Sequence, residues 1–312
     1  MEVNRKLKIS GVVQGVGFRP FVYQLADRYC LNGFILNNSA GVSVELEGRE
    51  SALDAFVEAL QEELPPLARI DTLLSEVGEY IGYTNFKILQ SEIQNNKSTL
   101  VSPDIAICEN CLKEFSDPTN RRYAYPFINC TDCGPRYSII ETLPYDRPNT
   151  SMHFFTMCEA CNFEFTDPLD RRFHAQPISC PDCGPILRLV DTECKVLGEG
   201  TTAITSTVNA IKEGYIVAVK GLGGFHLVCD ATNTKAIKEL RKRKQRPVKP
   251  FAVMFPDIEM LKASAEISPK EIELISSKEK PIVIVSKRSH SIIISDLVSP
   301  GIDRIGVFLP YT

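Results

Sequence analysis

Eight of the eleven cysteines fall into four Cys-x-x-Cys pairs: Cys108/Cys111, Cys130/Cys133, Cys158/Cys161 and Cys180/Cys183. Eighteen residues separate the first pair from the second and the third from the fourth, and a shift of fifty positions lays one half on the other. The same shift places Phe115 on Phe165, Asp117-Pro118 on Asp167-Pro168, Arg121-Arg122 on Arg171-Arg172, and Asp132-Cys133-Gly134-Pro135 on Asp182-Cys183-Gly184-Pro185. This is an internal duplication. Each Cys-x-x-Cys turn can offer two thiolates to one cation, and a second turn completes a tetrahedral site. The stretch therefore reads as two structural zinc sites with thiolate ligands and no open coordination position. Pairing within each repeat is the default; the spacing does not exclude crossed pairing, outer turns with outer and inner with inner.

Disulfides are the alternative for so many cysteines, but they belong to secreted chains. No apolar signal segment follows Met1 and no run approaches a membrane span, so a reduced, cytoplasmic protein is expected. A redox Cys-x-x-Cys usually occurs once, beside a βαβ pattern, whereas four occur here in a loop-rich region. That region is poor in apolar periodicity, and a structural zinc, with roughly 10–16 kcal/mol of apparent binding free energy, replaces the missing core. Its removal should unfold residues 108–183 and spare 1–90. Arg121-Arg122 and Arg171-Arg172, flanked by Tyr123, Tyr125 and Phe173, read as packing and surface residues repeated by the duplication rather than nucleic-acid contacts. His153 and His174 shift onto Pro103 and Ala124, so neither is placed as a zinc ligand. Cys30, Cys194 and Cys229 read as ordinary reduced residues.

A second stretch with chemical potential lies near the start, Gln14-Gly15-Val16-Gly17-Phe18-Arg19. Two glycines let backbone N–H groups converge on an anion, the following helix adds its dipole, and Arg19 supplies a planar fork for phosphate oxygens. The surrounding elements form a small α+β unit. Leu7 and Ile9 alternate with Lys6 and Lys8 as a strand, and Pro20 suits the first position of a helix carrying Phe21, Leu25 and Tyr29. Strands follow around Phe34–Asn38 and Val42–Glu47. Ser51 with Asp54 resembles a capping box for a helix with Leu53, Phe56, Val57, Leu60 and Leu64 on one stripe. Strands near Arg69–Val77 and Asn85–Leu89 complete a βαββαβ, ferredoxin-like order. The motif Gly11-Val12-Val13-Gln14-Gly15-Val16-Gly17-Phe18-Arg19, with Gly33-Phe34-Ile35-Leu36-Asn37, resembles the acylphosphatases. The resemblance implies that Arg19 binds the phosphoryl group, that Asn37 orients the attacking water, and that no general base is used.

The apolar fraction of 44% and charged fraction of 24% are those of a globular protein, and 312 residues suggest two or three domains. A net charge of −4 excludes a general polyanion binder, although residues 235–249 form a local basic block. A polar linker is expected over 91–107. Beyond Gly200 the pattern changes. A helix with Ile204, Val208 and Ile211 stops at Gly214, and Tyr215–Val219 reads as a strand buried on both faces. A glycine-rich loop starting at Lys220 follows. A helix from Thr234 leads to Lys244-Gln245-Arg246-Pro247, then come a strand at Phe251–Phe255, a helix at Pro269–Ser276, and strands at Ile282–Ser286 and Ile305–Leu309. His226 reads as structural. This half resembles the YrdC-type ATP-binding fold, which implies that Lys244 and Arg246, with Lys220, contact the triphosphate.

The fold class is thus multidomain α+β and α/β: a ferredoxin-like acylphosphatase domain at 1–91, a duplicated four-cysteine zinc-finger region at 104–190, and a YrdC-like α/β domain at 200–312, incomplete at its C-terminus. In that order the three resemble the HypF family, carbamoyltransferases of NiFe-hydrogenase maturation. The family implies hydrolysis of carbamoyl phosphate at Arg19 and Asn37, then formation of carbamoyl adenylate with ATP and Mg2+. Transfer to the C-terminal cysteine of HypE follows, toward cyanide ligands. Members carry a further sugar-kinase-like ATPase domain, so the chain reads as an N-terminal fragment. Two rivals are a zinc-dependent protein- or RNA-binding module with a degenerate acylphosphatase domain, and threonylcarbamoyl-adenylate synthesis. The intact loop with Asn37 opposes the first, and the first 190 residues oppose the second.

Overall fold

Alternation builds the first sheet. In β1 (Glu2–Val12) the side chains of Leu7 and Ile9 are buried, while those of Lys6 and Lys8 face outward. The chain continues through α1 (Phe18–Arg28), β2 (Asn32–Asn38), β3 (Gly41–Arg49), α2 (Glu50–Glu62), β4 (Arg69–Gly78) and β5 (Phe86–Ile88). The sheet order is β4-β1-β3-β2-β5, with β5 parallel to β2 and every other pair antiparallel. Because β3 sits between β1 and β2, the β1-α1-β2 crossover is split, as in a ferredoxin-like sandwich. Phe18, Val22 and Leu25 from α1 and Leu53, Phe56 and Leu60 from α2 pack with Leu7, Ile35, Val44 and Leu46 of the sheet. This computed structural model describes residues 2–91, 100, 102–288 and 294–312; of the expected linker, 92–99 and 101 lie outside the described residues.

Two helix starts differ from the sequence reading. α1 begins at Phe18, capped by Gly17 at φ 74°, so Pro20 falls third in the helix rather than first. Proline is tolerated there because N–H groups of the first turn have no intrahelical acceptor. α2 starts at Glu50, directly after β3, and its cap residue Arg49 makes no side-chain cap bond. Ser51 therefore lies inside the first turn, and no capping box forms.

The finger region carries one short helix per repeat, α3 (Glu109–Ser116) and α4 (Glu159–Thr166), each entered from the first cysteine of its repeat. Each repeat has its own small cluster in which the cysteines themselves are core residues, beside Ile105, Tyr125 and Ile128 in one and Ala175 and Ile178 in the other. Met1–Pro185 forms one compact unit and Ile186–Thr312 a second.

In the second unit, β6 (Arg188–Val190) and β7 (Val196–Glu199) form a hairpin before α5 (Gly200–Lys212). Gly214, at φ 92°, closes α5, where Tyr215 donates its backbone N–H to the carbonyl of Ala210. β8 (Val217–Lys220) pairs with β9 (Phe225–Val228), and α6 (Thr234–Arg243) is capped by Asn233. Then come β10 (Ala252–Met254), α7 (Ile258–Ser264), β11 (Ala265–Glu266), α8 (Pro269–Ser276), β12 (Val283–Lys287) and β13 (Arg304–Phe308), with the mixed sheet ordered β10-β13-β12-β11. Tyr215–Val219 is not buried on both faces: Tyr215 and Val219 are exposed, because among the described residues β8 pairs only with β9. No helix among the described residues is long and apolar enough to cross a membrane.

Candidate active site and metal centres

The turn after β1 is shaped by its glycines. Gly15 and Gly17 have φ of 73° and 74°, a region that favours glycine, and a Cβ on Gly15 would meet Arg136 Cδ at 3.2 Å. Val16 and Phe18 send their side chains into the core, so they can serve an anion only through backbone N–H groups. Gln14 is buried and donates to the carbonyls of Asn38 and Gly41, which ties the turn to the β2–β3 hairpin beside Asn37.

A cavity of about 20 Å3 opens on this turn, lined by Gln14, Gly15, Gly17, Phe18 and Arg19 on one side. Arg19 is buried, and its guanidinium forms an ion pair with Asp146 at 2.8 Å. Asn37 is buried too; it is not among the cavity-lining residues, and neither end of its amide has a hydrogen-bond partner among the described residues. Such a group costs about 1–3 kcal/mol and calls for a partner of another kind, a water or a ligand.

The other wall comes from the finger region: Thr131, Arg136, Tyr145, His174 and Gln176. Arg136 is buried, and its guanidinium donates to the carbonyls of Cys130, Thr131, Cys133 and Pro135 in the first finger and to that of Gly15 in the turn. Tyr145 accepts nothing at its hydroxyl, which is buried and unpaired, while its backbone N–H donates to Gln14 Oε1 at 3.1 Å. Burial pushes the His174 imidazole down to about 3, with the Arg19 charge acting the same way, so it is neutral around pH 7. Tyr23 of α1 packs edge-on against Phe173 of the second finger. Residues 1–90 and 108–183 are therefore not independent in packing, contrary to the expectation from sequence.

None of Arg136, Tyr145, Asp146 and Gln176 was picked out from the sequence. A signal existed: the fifty-residue shift puts Ile186 on Arg136, and residues 141–156 have no counterpart in the repeat. Departures from the duplication mark what the second region does for the first.

The thiolates assemble within each repeat, not across repeats. Three Sγ–Sγ distances span 3.5–3.8 Å in the first site and three span 3.6–3.8 Å in the second, and all four sulfurs of each site lie within 4.8 Å of one another. A tetrahedron with Zn–S of about 2.3 Å has edges of about 3.8 Å, so both sets fit zinc and leave it no vacant position. Cys108, Cys111, Cys130 and Cys133 would hold one ion, and Cys158, Cys161, Cys180 and Cys183 the other.

The arginine pairs lock the fingers together. Arg122 reaches Glu164 and the carbonyl of Ser179, while Arg172 reaches Glu114 and the carbonyl of Asn129, the same bonds under the fifty-residue shift. Arg121 and Arg171 donate to Cys161 and Cys111 at 2.7 and 3.2 Å, each touching the other finger's thiolate set. Burial opposes ionisation of Glu114, but Arg172 and Arg171 outweigh it and hold the carboxyl below its ordinary value. Neither His153 nor His174 joins a cysteine cluster.

In the second unit Lys220 ends β8 with its ammonium 5.2 Å from the Phe225 ring centre. Lys244 is exposed at the C-cap of α6, and Arg246 donates to the carbonyls of Lys249 and Pro250. Arg241, one of the basic block, is buried, bonded to the carbonyls of Leu297 and Val298 and 4.5 Å from the Phe251 ring centre. His226 meets the hydroxyl of Tyr311 at 3.1 Å.

Residues 5–88 match the acylphosphatase family, residues 107–140 and 157–190 the HypF finger, and residues 209–312 the Sua5/YciO/YrdC family described as telomere recombination. A carbamoyltransferase HypF from Synechocystis sp. is 48% identical over 306 residues, 98% of this chain and 40% of that protein. An acylphosphatase from Bacillus licheniformis is 37% identical over 84 residues, 93% of its length. A crystal structure of full-length HypF in a phosphate- and nucleotide-bound form superposes with a TM-score of 0.94 at 45% identity, over 100% of this chain and 40% of that one. The chain spans about two fifths of the length of the HypF proteins it matches. It belongs to the HypF family, with an acylphosphatase domain at its N-terminal end and paired four-cysteine fingers after it.

Proposed function

We propose that the first unit hydrolyses an acyl phosphate, carbamoyl phosphate in the context of this family, to carbamate and phosphate. The observation that carries this reading is Arg19 lining a small cavity over a glycine turn, with the unpaired amide of Asn37 at the adjoining hairpin. Arg19 and the N–H groups of Gly15 to Phe18 bind the phosphoryl oxygens, and Asn37 holds a water. The water oxygen bonds to phosphorus as the P–O bond to the acyl group breaks; the water's proton goes to the released phosphate. Carbamate leaves as a carboxylate-like anion, so no protein acid or base is required.

The proposed arrangement is an acylphosphatase domain at 1–91, a finger region at 104–190 and a YrdC-like domain at 200–312. In the last, Lys220, Lys244 and Arg246 contact ATP, held with Mg2+, for carbamoyl adenylate formation. HypE is the acceptor in the whole protein, and the cytoplasm is the compartment, where thiolates stay reduced. The matched relatives and the YrdC-type segment support this part. Phosphate release from carbamoyl phosphate, without ATP, tests the first step. Release by the wild-type chain, lost in Arg19→Ala, is the expected result; release unchanged by that substitution overturns the site.

A further inference from the structure

The proposed chemistry uses the turn, Arg19 and Asn37, all in the acylphosphatase domain, yet half of the cavity wall belongs to the fingers. Two neighbours on the segment between the fingers stand out. Asp146 pairs with Arg19 at 2.8 Å, and the carbonyl of Tyr145 receives a second, longer bond from the same guanidinium at 3.4 Å. Both contacts go through Nη2, which leaves the other N–H groups of the guanidinium free for a phosphoryl group. Tyr145 lines the cavity, and its hydroxyl is buried without a hydrogen-bond partner among the described residues. A buried hydroxyl without a partner is costly, and burial holds this phenol above its ordinary value, so it remains a neutral donor.

The segment is fastened at both ends of this pair. Tyr145 N–H is bound by Gln14, and Arg147 donates to the carbonyls of Gln176 and Ile178 in the second finger at 2.8 Å each. Arg136 fixes the Gly15 carbonyl, and in a trans peptide that also fixes the direction of the Val16 N–H. The finger region thus sets the geometry of an anion site in another domain.

Resting on the acyl-phosphate reading above, we propose that the finger region completes that site: Tyr145 is a substrate-binding residue that donates its hydroxyl to the acyl oxygen, and Asp146 is the positioning residue for Arg19.

The test uses the whole chain with carbamoyl and acetyl phosphate as substrates and inorganic phosphate as competing ligand. Tyr145→Phe should lower kcat/KM for carbamoyl phosphate about tenfold while the inhibition constant of phosphate stays within twofold. Asp146→Asn should weaken phosphate inhibition and lower kcat about tenfold, and Asp146→Glu should recover part of both. Should Asp146→Asn lose structure, as melting would reveal, the Tyr145→Phe comparison still decides. Tyr145→Phe within twofold of wild type on every substrate, or a gain of activity in Asp146→Asn, would overturn the proposal while Arg19→Ala remained inactive. Normal turnover in Arg19→Ala would overturn the reading beneath it.

Discussion

A buried amide with both ends unpaired weakens the fold that holds it, and Asn37 is such a group. Asn37→Ala is expected to lower kcat for acyl-phosphate hydrolysis more than it raises KM, because a water is oriented rather than substrate held. The same variant should melt no lower than wild type, since it removes polar atoms that cost about 1–3 kcal/mol each when unsatisfied. A scanning calorimetry trace beside the kinetics checks both; equal loss of activity and stability would mean a structural role. Arg19→Ala should cost about two to three decades of rate, from about 2–4 kcal/mol of lost charge stabilisation. Unlike Asn37→Ala it should also lower the melting temperature, because it strands Asp146 without its partner. Arg19 and Asn37 were legible in sequence because the glycine turn and hairpin that carry them are local. Tyr145 and Asp146 were not, since only packing brings residues more than 120 positions away to the turn.

The fingers show how a duplication can be read correctly in sequence and still conceal its purpose. Spacing picked out the eight thiolates, because ligand geometry is written in Cys-x-x-Cys turns of fixed length, but it left crossed pairing open, and the structure groups them within each repeat. Spacing did not show that Arg122 and Arg172 cross to the opposite repeat, where Glu164 and Glu114 wait at equivalent positions. Crossing needs an approximate two-fold relation between the repeats, and no local pattern encodes that. The bland reading of these arginines as packing residues points the right way, although Arg122 and Arg172 are among the most buried side chains rather than surface ones. Arg122→Ala and Arg172→Ala should each destabilise the first unit by about 2–4 kcal/mol, toward the low end for broken buried pairs because the glutamates keep some exposure. Chemical denaturation of the two variants should give similar losses, and each should release zinc to a chelator faster than wild type. In a cycle with Glu164→Ala, the Arg122→Ala loss should shrink, because the stranded carboxylate is gone. Unequal losses, or full additivity in the cycle, would count against the reciprocal lock.

At the scale of the whole molecule, the first unit runs from Met1 to Pro185, so acylphosphatase fold and fingers form one body. The sequence suggested two, because each has its own complete local pattern and the expected linker lies between them. What joins them is carried by residues outside both patterns: Arg136 reaching the Gly15 carbonyl, Asp146 on Arg19, and Tyr23 against Phe173. Zinc removal should therefore reach the chemistry. The finger clusters are small and count their own cysteines as core, so loss of zinc leaves too little apolar burial to hold the segment from Arg136 to Arg147. Two zinc ions per chain are expected in freshly purified, reduced protein. Stepwise chelation should lower phosphate release from carbamoyl phosphate in parallel with zinc loss. The βαββαβ sheet, whose own core contains no cysteine ligand, should keep its circular dichroism and hydrogen-exchange protection. Acyl-phosphate turnover that survives complete zinc removal would show the cradle to be self-sufficient, and the cross-region bonds to be packing without a part in the reaction. Collapse of the sheet along with the fingers would show instead that folding, not only the site, is shared across the unit.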